Sequence, residues 1–325
     1  MYARAVRFVC ADGEKQFRAV LDDEPVRAGG HELIWHDGRP EGLDEWRARL
    51  AGADGAMLMW GMPEGVLSAA PSLRVVSFAG SGAGSYVPIR EAERCGVLVC
   101  NVPSYGANAV AEHAFALAFA LARRVCEGDR LVRDGSWGPG ALSGLELAGR
   151  RLGVVGVGPV GARAVAIGRG LGMTVSAWTR SPNPERERDL GVPFVPLDRL
   201  CAESDVITLH LAHVPETERI LDGRLLSLMQ PHVLLVNTAR AQLIETGALV
   251  EALHEGRIGG AAVDAFDEEP LPAGHPLLTA PRLVLTPHVG FNTPEAAAEL
   301  VRITLDNLLA YAAGTPRNVY TTTPP

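Results

Sequence analysis

The sequence predicts an α/β protein made of two doubly wound domains, each built on a parallel β-sheet. Its 325 residues, 47% of them hydrophobic, exceed what a single hydrophobic core usually organises. Short apolar runs alternate with helix-like stretches along the whole chain, as they do in consecutive βαβ units. No internal repeat or low-complexity tract interrupts this alternation. We therefore expect two α/β domains of roughly 100–200 residues each.

Eight apolar segments are predicted to form buried strands. Most carry Val, Ile or Leu on consecutive positions, which is typical of strands that are covered on both faces. The segments are Ala56–Trp60, Arg74–Phe78, Leu152–Val157, Thr174–Trp178, Val206–Leu211, Val233–Asn237, Gly260–Val263 and Leu283–Thr286.

The most periodic helix is predicted for Asn108–Arg124, where apolar residues recur at spacings of three and four. Its body is small and apolar on nearly every side, so we expect it to be buried between the domains or in a subunit interface. The segment Arg133–Gly140 is rich in helix breakers and predicts a loop. Trp137, within that loop, is expected in a core or an interface rather than in a pocket.

Composition argues against several classes of protein. The formal net charge is -8, from 38 acidic and 30 basic residues without a basic run, which argues against a nucleic-acid partner. The 5 cysteines form no CxxC pair, which fits a reducing compartment. The longest candidate span, Ala114–Ala122, is far shorter than the roughly 20 apolar residues that a membrane helix needs. We expect a cytoplasmic protein with neither a membrane partner nor a metal site.

The strongest motif is a Gly-x-Gly-x-x-Gly loop between a predicted strand and a predicted helix. Gly156 permits the tight turn, Gly158 lets the backbone approach a pyrophosphate, and Gly161 lets the helix pack against the strand. Pro159 suits the first helical turn, and Val160 follows it. A glycine-rich turn without a ligand is the alternative. With the flanking strand and helix, the motif predicts a Rossmann dinucleotide-binding domain.

The residues after the next strand bear on the choice of cofactor. An Asp or Glu at this place binds the adenosine ribose hydroxyls in NAD-dependent proteins, but this chain has Thr179, Arg180 and Ser181. A guanidinium beside hydroxyl groups suits a 2′-phosphate, which a carboxylate would repel. We predict a preference for NADP. In the alternative, Arg180 lies flat on the adenine while NAD binds.

Three further segments follow predicted strands and carry polar residues that suit catalysis. Arg240 follows one strand, Asp264 and Glu269 follow the next, and His288 follows the last. Because ligands of open α/β sheets bind beyond the carboxyl ends of the strands, we expect these residues to share a crevice with the glycine loop. An imidazole and a guanidinium in one crevice supply a proton donor and a fixed cation, which are the groups that a reaction at a carbonyl oxygen needs.

These motifs, with Phe78–Gly84 and Val110–Glu112, resemble the D-isomer-specific 2-hydroxyacid dehydrogenase family in order and spacing over nearly the whole chain. The resemblance implies that Arg240 holds the substrate carboxylate and carbonyl, that His288 is the acid/base, and that Glu269 pairs with His288. It also implies a flavodoxin-like substrate domain and a homodimer.

Each assignment has an alternative. In the alternatives, Arg240 is a surface ion-pair partner and His288 is a turn histidine that is bonded to the backbone. A third alternative makes Glu268, rather than Glu269, the partner of His288. Asp264 either binds near the nicotinamide amide or caps a loop. Other residues assigned to the cofactor site are His210, Thr217, Thr238, Ala239, Asp264 and Gly290.

The substrate domain contributes a second candidate anion site. Backbone amides around Gly80 and Ser81 are expected to bind the substrate carboxylate, and Tyr105 to line the cleft. A plain flexible turn is the alternative at Gly80 and Ser81.

The predicted substrate domain comprises residues 1–103 and 290–325, and the cofactor domain residues 104–289. The carboxyl-terminal tail, Asn318–Pro325, is expected to be extended.

The sequence departs from the family pattern at three places. The family has Gly after the matched Arg, where this chain has Ala241, and it has a later Asp-Glu pair, where this chain has Glu245 and Thr246. The segment Ser85–Pro88 lacks the acidic residues that are usual after the first glycine loop.

These departures leave the substrate open among glyoxylate, hydroxypyruvate and larger 2-oxo acids. A formate- or phosphite-type dehydrogenase and a cofactor-sensing corepressor-like protein are the competing hypotheses.

Overall fold

The computed structural model describes residues 5–103 and 105–320. Its internal contacts divide the chain into two compact units, which we call unit 1 (residues 1–106 and 292–325) and unit 2 (Ala107–Phe291). The boundaries predicted from the sequence were 103/104 and 289/290. Each unit holds one parallel sheet, so the predicted fold class is confirmed.

Eleven strands form the two sheets of the described chain, and neighbouring strands run parallel. They are β1 (Arg7–Gly13), β2 (Glu32–Asp37), β3 (Gly55–Leu58), β4 (Val75–Phe78), β5 (Leu98–Cys100), β6 (Arg151–Val155), β7 (Thr174–Trp178), β8 (Val206–Leu209), β9 (Leu234–Asn237), β10 (Gly260–Val263) and β11 (Leu283–Leu285). The order in unit 1 is β2-β1-β3-β4-β5, a flavodoxin-like order, and in unit 2 it is β7-β6-β8-β9-β10-β11. A parallel bridge from Ala177 to Phe194 extends the second sheet beyond β7.

Fourteen α-helices accompany these strands within the described residues. They are α1 (Lys15–Ala19), α2 (Glu24–Ala28), α3 (Leu43–Arg49), α4 (Val66–Ala69), α5 (Ala83–Tyr86), α6 (Ile89–Cys95), α7 (Ala107–Ala122), α8 (Val125–Arg133), α9 (Pro159–Gly170), α10 (Pro184–Leu190), α11 (Leu197–Glu203), α12 (Gly223–Leu228), α13 (Thr246–His254) and α14 (Pro294–Ala312). Short 3-10 helices lie at Pro139–Leu142, Pro215–Thr217, Ala241–Leu243 and Pro276–Leu278.

All eight predicted strands are present, and several end one or two residues earlier than predicted. The additional strands β1, β2 and β5 escaped prediction for different reasons. The apolar run of β1 is short and is followed by the buried Asp12, β2 is an edge strand with a partly exposed surface, and β5 has only 3 residues. The prediction depended on long runs of consecutive apolar residues, which edge strands and very short strands do not have.

Helix α7 packs into the core of unit 2, with Ala114, Leu117, Ala118 and Leu121 among the residues buried against the sheet. On the other side of the helix Phe119 is exposed, so α7 is not covered on every side by the described residues, and its place in a subunit interface stays a prediction. Small side chains let the helix approach β9 and α9 closely, and this close packing accounts for its apolar character.

The segment after α7 is less irregular than predicted. Helix α8 ends at Arg133, and a 3-10 helix begins at Pro139 within the predicted loop. Trp137 is 85% exposed, which excludes a place in the core of the described chain, and its place in an interface stays a prediction. In the carboxyl-terminal segment Val319 forms an antiparallel bridge with Cys100, and residues 321–325 of the predicted extended tail lie outside the described residues.

Across residues 5–103 and 105–320, no helix is both long enough and apolar enough to cross a membrane. The same residues contain no group of three or more His, Cys, Asp or Glu side chains placed to hold a metal ion.

Candidate active site

The glycine loop connects β6 to α9 and excludes side chains at two of its three glycines. Gly156 has φ 95°, and a Cβ there would lie 2.6 Å from the carbonyl oxygen of His210. A Cβ on Gly161 would lie 1.9 Å from the carbonyl oxygen of Gly156. Helix and strand therefore approach each other as closely as their backbones allow.

The third glycine differs, because it faces open space. No heavy atom of the described chain lies within 4 Å of the position that a Cβ on Gly158 would take. Gly158 is the residue before α9, which begins at Pro159 and continues through Val160. The free amides and positive dipole end of this 12-residue helix attract an anion. The loop thus fits the pyrophosphate of a dinucleotide.

Two buried polar atoms beyond β8 and β9 have no partner among the described residues. They are Nδ1 of His210 and Oγ1 of Thr238. The other ring nitrogen of His210 lies 3.0 Å from Oγ1 of Thr208. Burial lowers the pKa of His210 to about 4, so the ring is neutral near pH 7. Because buried polar atoms normally have partners, both atoms are suited to contact a bound cofactor.

The adenosine end of the predicted cofactor site carries Arg180 after β7. Its side chain is 57% exposed, and its NH1 lies 3.4 Å from Oε2 of Glu216. Thr179 and Ser181 flank it. Arg186 on α10 donates a hydrogen bond to the carbonyl of Val157 within the glycine loop, which makes it a second cation beside this loop.

Thr217 does not face a ligand through its hydroxyl group. Its Oγ1 donates to the carbonyl of Ala212 at 2.8 Å and accepts from the amide of Val214 at 2.9 Å. The hydroxyl therefore stabilises its own 3-10 turn, and the amide of Thr217 also donates within this turn, to the carbonyl of Val214 at 2.9 Å.

His288 and Glu269 form a close pair beyond β11 and β10. Nδ1 of His288 lies 2.9 Å from Oε1 and 2.8 Å from Oε2 of Glu269. Oε1 also accepts from the amide of Phe266 at 3.0 Å, which holds the carboxylate in place. Because an ionised carboxylate only accepts, Nδ1 carries the proton and Nε2 remains for proton exchange with a ligand.

Asp264 binds the backbone of the loop that carries His288. Its carboxylate accepts from the amides of Val289 at 3.0 Å and Gly290 at 2.8 Å, and from Oγ1 of Thr286 at 2.5 Å. Burial alone would raise the pKa of Asp264, but hydrogen bonds from His113 and these three donors outweigh it and lower the pKa below its ordinary value. A loop-capping role of Asp264 is thus visible in the structure.

Arg240 follows β9 and is partly buried. Its NH1 donates to the carbonyl of Ala239 at 2.7 Å, and Asn237 holds the turn by donating to the carbonyl of Arg240 at 2.8 Å. Within the described residues no carboxylate lies within ion-pair distance of Arg240, so its guanidinium retains donors for an anion. Since β9, β10 and β11 are adjacent, Arg240, Glu269 and His288 share one edge of the sheet.

A model of the NAD-binding domain of D-isomer-specific 2-hydroxyacid dehydrogenases matches residues 115–290. A glyoxylate reductase from Aeropyrum pernix is 39% identical over 256 residues, which cover 77% of this chain and 76% of that protein. The chain belongs to the D-isomer-specific 2-hydroxyacid dehydrogenase family. The resemblance found in the sequence is therefore confirmed.

Solved structures extend the likeness over nearly the whole dehydrogenase. Protein TT0316 from Thermus thermophilus has a TM-score of 0.84 and 34% identity, covering 97% of this chain and 100% of that one. An acyclic imino acid reductase solved with NADPH and D-Arg has a TM-score of 0.83 and 26% identity, with coverage of 97% and 100%.

The predicted substrate loop of the dehydrogenase follows β4 in unit 1. The amide of Gly80 is engaged with the carbonyl of Phe78 at 2.9 Å, so it is not free to bind an anion as expected. The amide of Ser81 has no partner among the described residues, and its carbonyl accepts from Asn101 at 2.8 Å. Tyr105 is partly buried and packs against the core of unit 1.

Sequence reasoning did not single out Arg186, His113 or Glu216 of the dehydrogenase. His113 lies within the periodic helix α7 and Arg186 within a charged helix, so neither stands out from its neighbours. Their contacts join residues that are 29 or more positions apart, which the local pattern does not reveal.

Proposed function

We propose that this dehydrogenase reduces a small 2-oxo acid to the D-2-hydroxy acid with NADPH, and that His288 is the proton donor. The observation that carries the proposal is the His288–Glu269 pair, which presents Nε2 at the sheet edge that also holds Arg240 and the glycine loop. A cofactor-sensing binding protein can retain the same residues, so a turnover assay decides between the two functions.

The chemistry divides between the cofactor and the chain. When bound, the nicotinamide supplies the hydride that forms the new C–H bond at the 2-carbon. Arg240 binds the substrate carboxylate through its planar fork and stabilises negative charge on the carbonyl oxygen. His288 transfers the proton from Nε2 to that oxygen, and Glu269 stabilises the ring in its protonated form before the transfer.

Glyoxylate and hydroxypyruvate are the substrates that we propose first. The Aeropyrum relative is a glyoxylate reductase, and the match covers about three quarters of each chain. In unit 1 the Ser81 amide, which follows β4, is a donor that can bind an anion.

The preference for NADPH rests on two guanidinium groups. Arg180 is exposed after β7, and Arg186 reaches the glycine loop from α10. Arg180 brings positive charge to the strand end where the adenosine ribose is expected, and Arg186 adds a second cation at the neighbouring glycine loop; a 2′-phosphate pairs with guanidinium groups. The structural relative solved with NADPH supports this choice.

We also propose that the dehydrogenase is a cytoplasmic homodimer. Four exposed apolar side chains lie on α7, α8 and the segment that follows, namely Phe119, Val125, Val132 and Trp137. Exposed apolar side chains that form one contiguous patch mark protein–protein interfaces, so this is the surface that we propose for the dimer. Sedimentation of the purified protein tests the dimer.

A panel of substrates tests the proposed reaction. Glyoxylate, hydroxypyruvate and larger 2-oxo acids are assayed with NADH and NADPH, alongside oxidation of formate and phosphite. We expect reduction of at least one 2-oxo acid, faster with NADPH. Arg240→Ala should abolish saturation with the 2-oxo acid, and Arg240→Lys should keep the charge but lose the two-oxygen geometry. Cofactor binding without any turnover would favour the corepressor-like alternative instead.

A further inference from the structure

A polar chain connects α7 to the loop that carries the catalytic histidine. Nε2 of His113, on α7, lies 3.1 Å from Oγ1 of Thr286 and 3.4 Å from Oδ1 of Asp264. Oγ1 of Thr286 lies 2.5 Å from the same Asp264 oxygen. The side chain of Asp264 is only 2% exposed and that of His113 is 21% exposed. Water competes weakly for these contacts.

The direction of these hydrogen bonds follows from the chemistry of the groups. The Asp264 carboxylate only accepts, so Thr286 must donate its single hydroxyl proton to it. The hydroxyl is then an acceptor toward His113, which must donate from Nε2. His113 is therefore the first donor in this series of hydrogen bonds, and its Nε2 must carry a proton.

The other end of the chain fixes the backbone beyond His288. Asp264 accepts from the two consecutive amides of Val289 and Gly290. His288 has φ 54°, in the left-handed region that costs a residue with a side chain about 1 kcal/mol or more. Two clamped amides directly after it supply the contacts that hold it there.

Packing adds a direct contact between α7 and this loop. A Cβ on Gly290 would lie 2.9 Å from Oδ2 of Asp264 and 3.3 Å from Cδ2 of the His113 ring. The backbone at Gly290 therefore lies close to the His113 ring as well as to the Asp264 carboxylate. Loss of the ring would leave both a missing donor and a gap beneath the loop.

We propose that His113 is a positioning residue of the reaction, which acts through Thr286 and Asp264 to hold the backbone of His288 and so to aim its ring. The inference rests on the proposed function, because His288 is there the proton donor. His113 itself is not proposed to touch the substrate or the cofactor.

Three variants and one control test the proposal. His113→Phe removes the donor at similar size, His113→Gln keeps an N–H donor, and Thr286→Val interrupts the chain without a large change in shape. Ala116→Ser alters an exposed residue of the same helix and is the control.

The activity readout is the split between kcat and KM. We expect His113→Phe and Thr286→Val to lower kcat about 10-fold or more, because small misplacement of a catalytic group is costly. The KM values for NADPH and the 2-oxo acid should change less than about 2-fold, and His113→Gln should recover most of kcat. A rise in the KM for NADPH at unchanged kcat would overturn the proposal, since Asp264 would then serve the cofactor.

A second readout does not depend on turnover. Hydrogen exchange of the Val289 and Gly290 amides is measured in the substrate-free protein, where we expect exchange about 10-fold faster in His113→Phe and Thr286→Val than in Ala116→Ser. Unchanged exchange in both variants would overturn the proposal. If the unsubstituted protein reduces no 2-oxo acid, the proposed function fails, and the exchange rates still decide whether His113 holds this loop.

Discussion

Nδ1 of His288 lies 2.8 Å from Oε2 of Glu269, and the two residues follow adjacent strands of one sheet. Glu268, the alternative partner considered from the sequence, has no such contact among the described residues. The relationship fixes which ring nitrogen faces a ligand, because the carboxylate occupies the other.

Substitutions of His288 and of Glu269 should distinguish loss of the proton donor from loss of the carboxylate that holds its ring. We expect His288→Ala to lower kcat for reduction about 10²- to 10⁴-fold, as loss of a general acid does. Glu269→Gln keeps a hydrogen-bonding group but loses the negative charge beside Nδ1 of the ring, so kcat should fall less than in His288→Ala, which lacks the proton donor. The measurement is kcat against pH for both variants. Turnover by His288→Ala at the original rate would remove the residue from the mechanism.

Two glycines of the cofactor loop should respond differently to a methyl group. Gly158 has φ −63° and ψ −170° with open space around its Cβ position, so Gly158→Ala should fold normally and bind NADPH about 10-fold more weakly. Gly161→Ala places a Cβ against the carbonyl of Gly156 and should lower the free energy of unfolding by about 1–3 kcal/mol. Thermal unfolding and fluorescence titration with NADPH measure the two effects. Equal losses of stability in both variants would contradict the assignment.

Coenzyme selection should depend on Arg180 and on its acidic neighbour. Arg180→Ala is expected to raise the KM for NADPH about 10-fold while leaving that for NADH nearly unchanged. Glu216→Gln removes the carboxylate 3.4 Å from Arg180, so it should lower the KM for NADPH. Because both side chains are exposed, the effect should shrink at high salt. An enzyme that prefers NADH, with no response to Arg180→Ala, would exclude the phosphate-binding role.

Acid should weaken unit 2 through Asp205, which lies just before β8. Burial would raise the pKa of Asp205, but the hydrogen bonds from the Arg151 amide at 2.7 Å and His232 at 2.6 Å outweigh it and lower the pKa. A lowered pKa in the folded state means that the stabilisation is present above the ordinary pKa of Asp and is lost as pH falls through the folded value.

The Asp205→Asn variant tests this linkage. We expect it to lower the free energy of unfolding at pH 7 by about 1–3 kcal/mol, with a smaller difference from the unsubstituted protein near pH 3 to 4. Urea unfolding at both pH values provides the measurement. Asp189→Asn, at an exposed position on α10, is the control and should change stability little. A constant difference at both pH values would disprove the linkage.

The sequence predicted the features whose signals are local. Long apolar runs located eight strands, and the glycine spacing located the turn before α9. Arg240, Glu269 and His288 were found because each follows a strand in a recognisable motif. For Trp137 the sequence left a core and an interface open, because an aromatic residue alone does not indicate whether its own chain covers it, and the structure excludes the core.

The remainder of the site depends on contacts between distant positions. The His113–Thr286 hydrogen bond joins residues 173 positions apart, and the Arg180–Glu216 pair joins residues 36 positions apart. The engagement of the Gly80 amide depends on the turn that the chain adopts after β4. Such relationships appear only when the sheets fix which loops are neighbours.

The neutral histidine beneath the glycine loop has a practical consequence for kinetics. Because burial lowers its pKa to about 4, His210 is neutral near pH 7, so this residue adds no charge beside the pyrophosphate turn at that pH. Inflections in a rate profile recorded there report other ionisations. Weakened coenzyme binding on acidification below about pH 4 would instead be the signature of this ring gaining its charge.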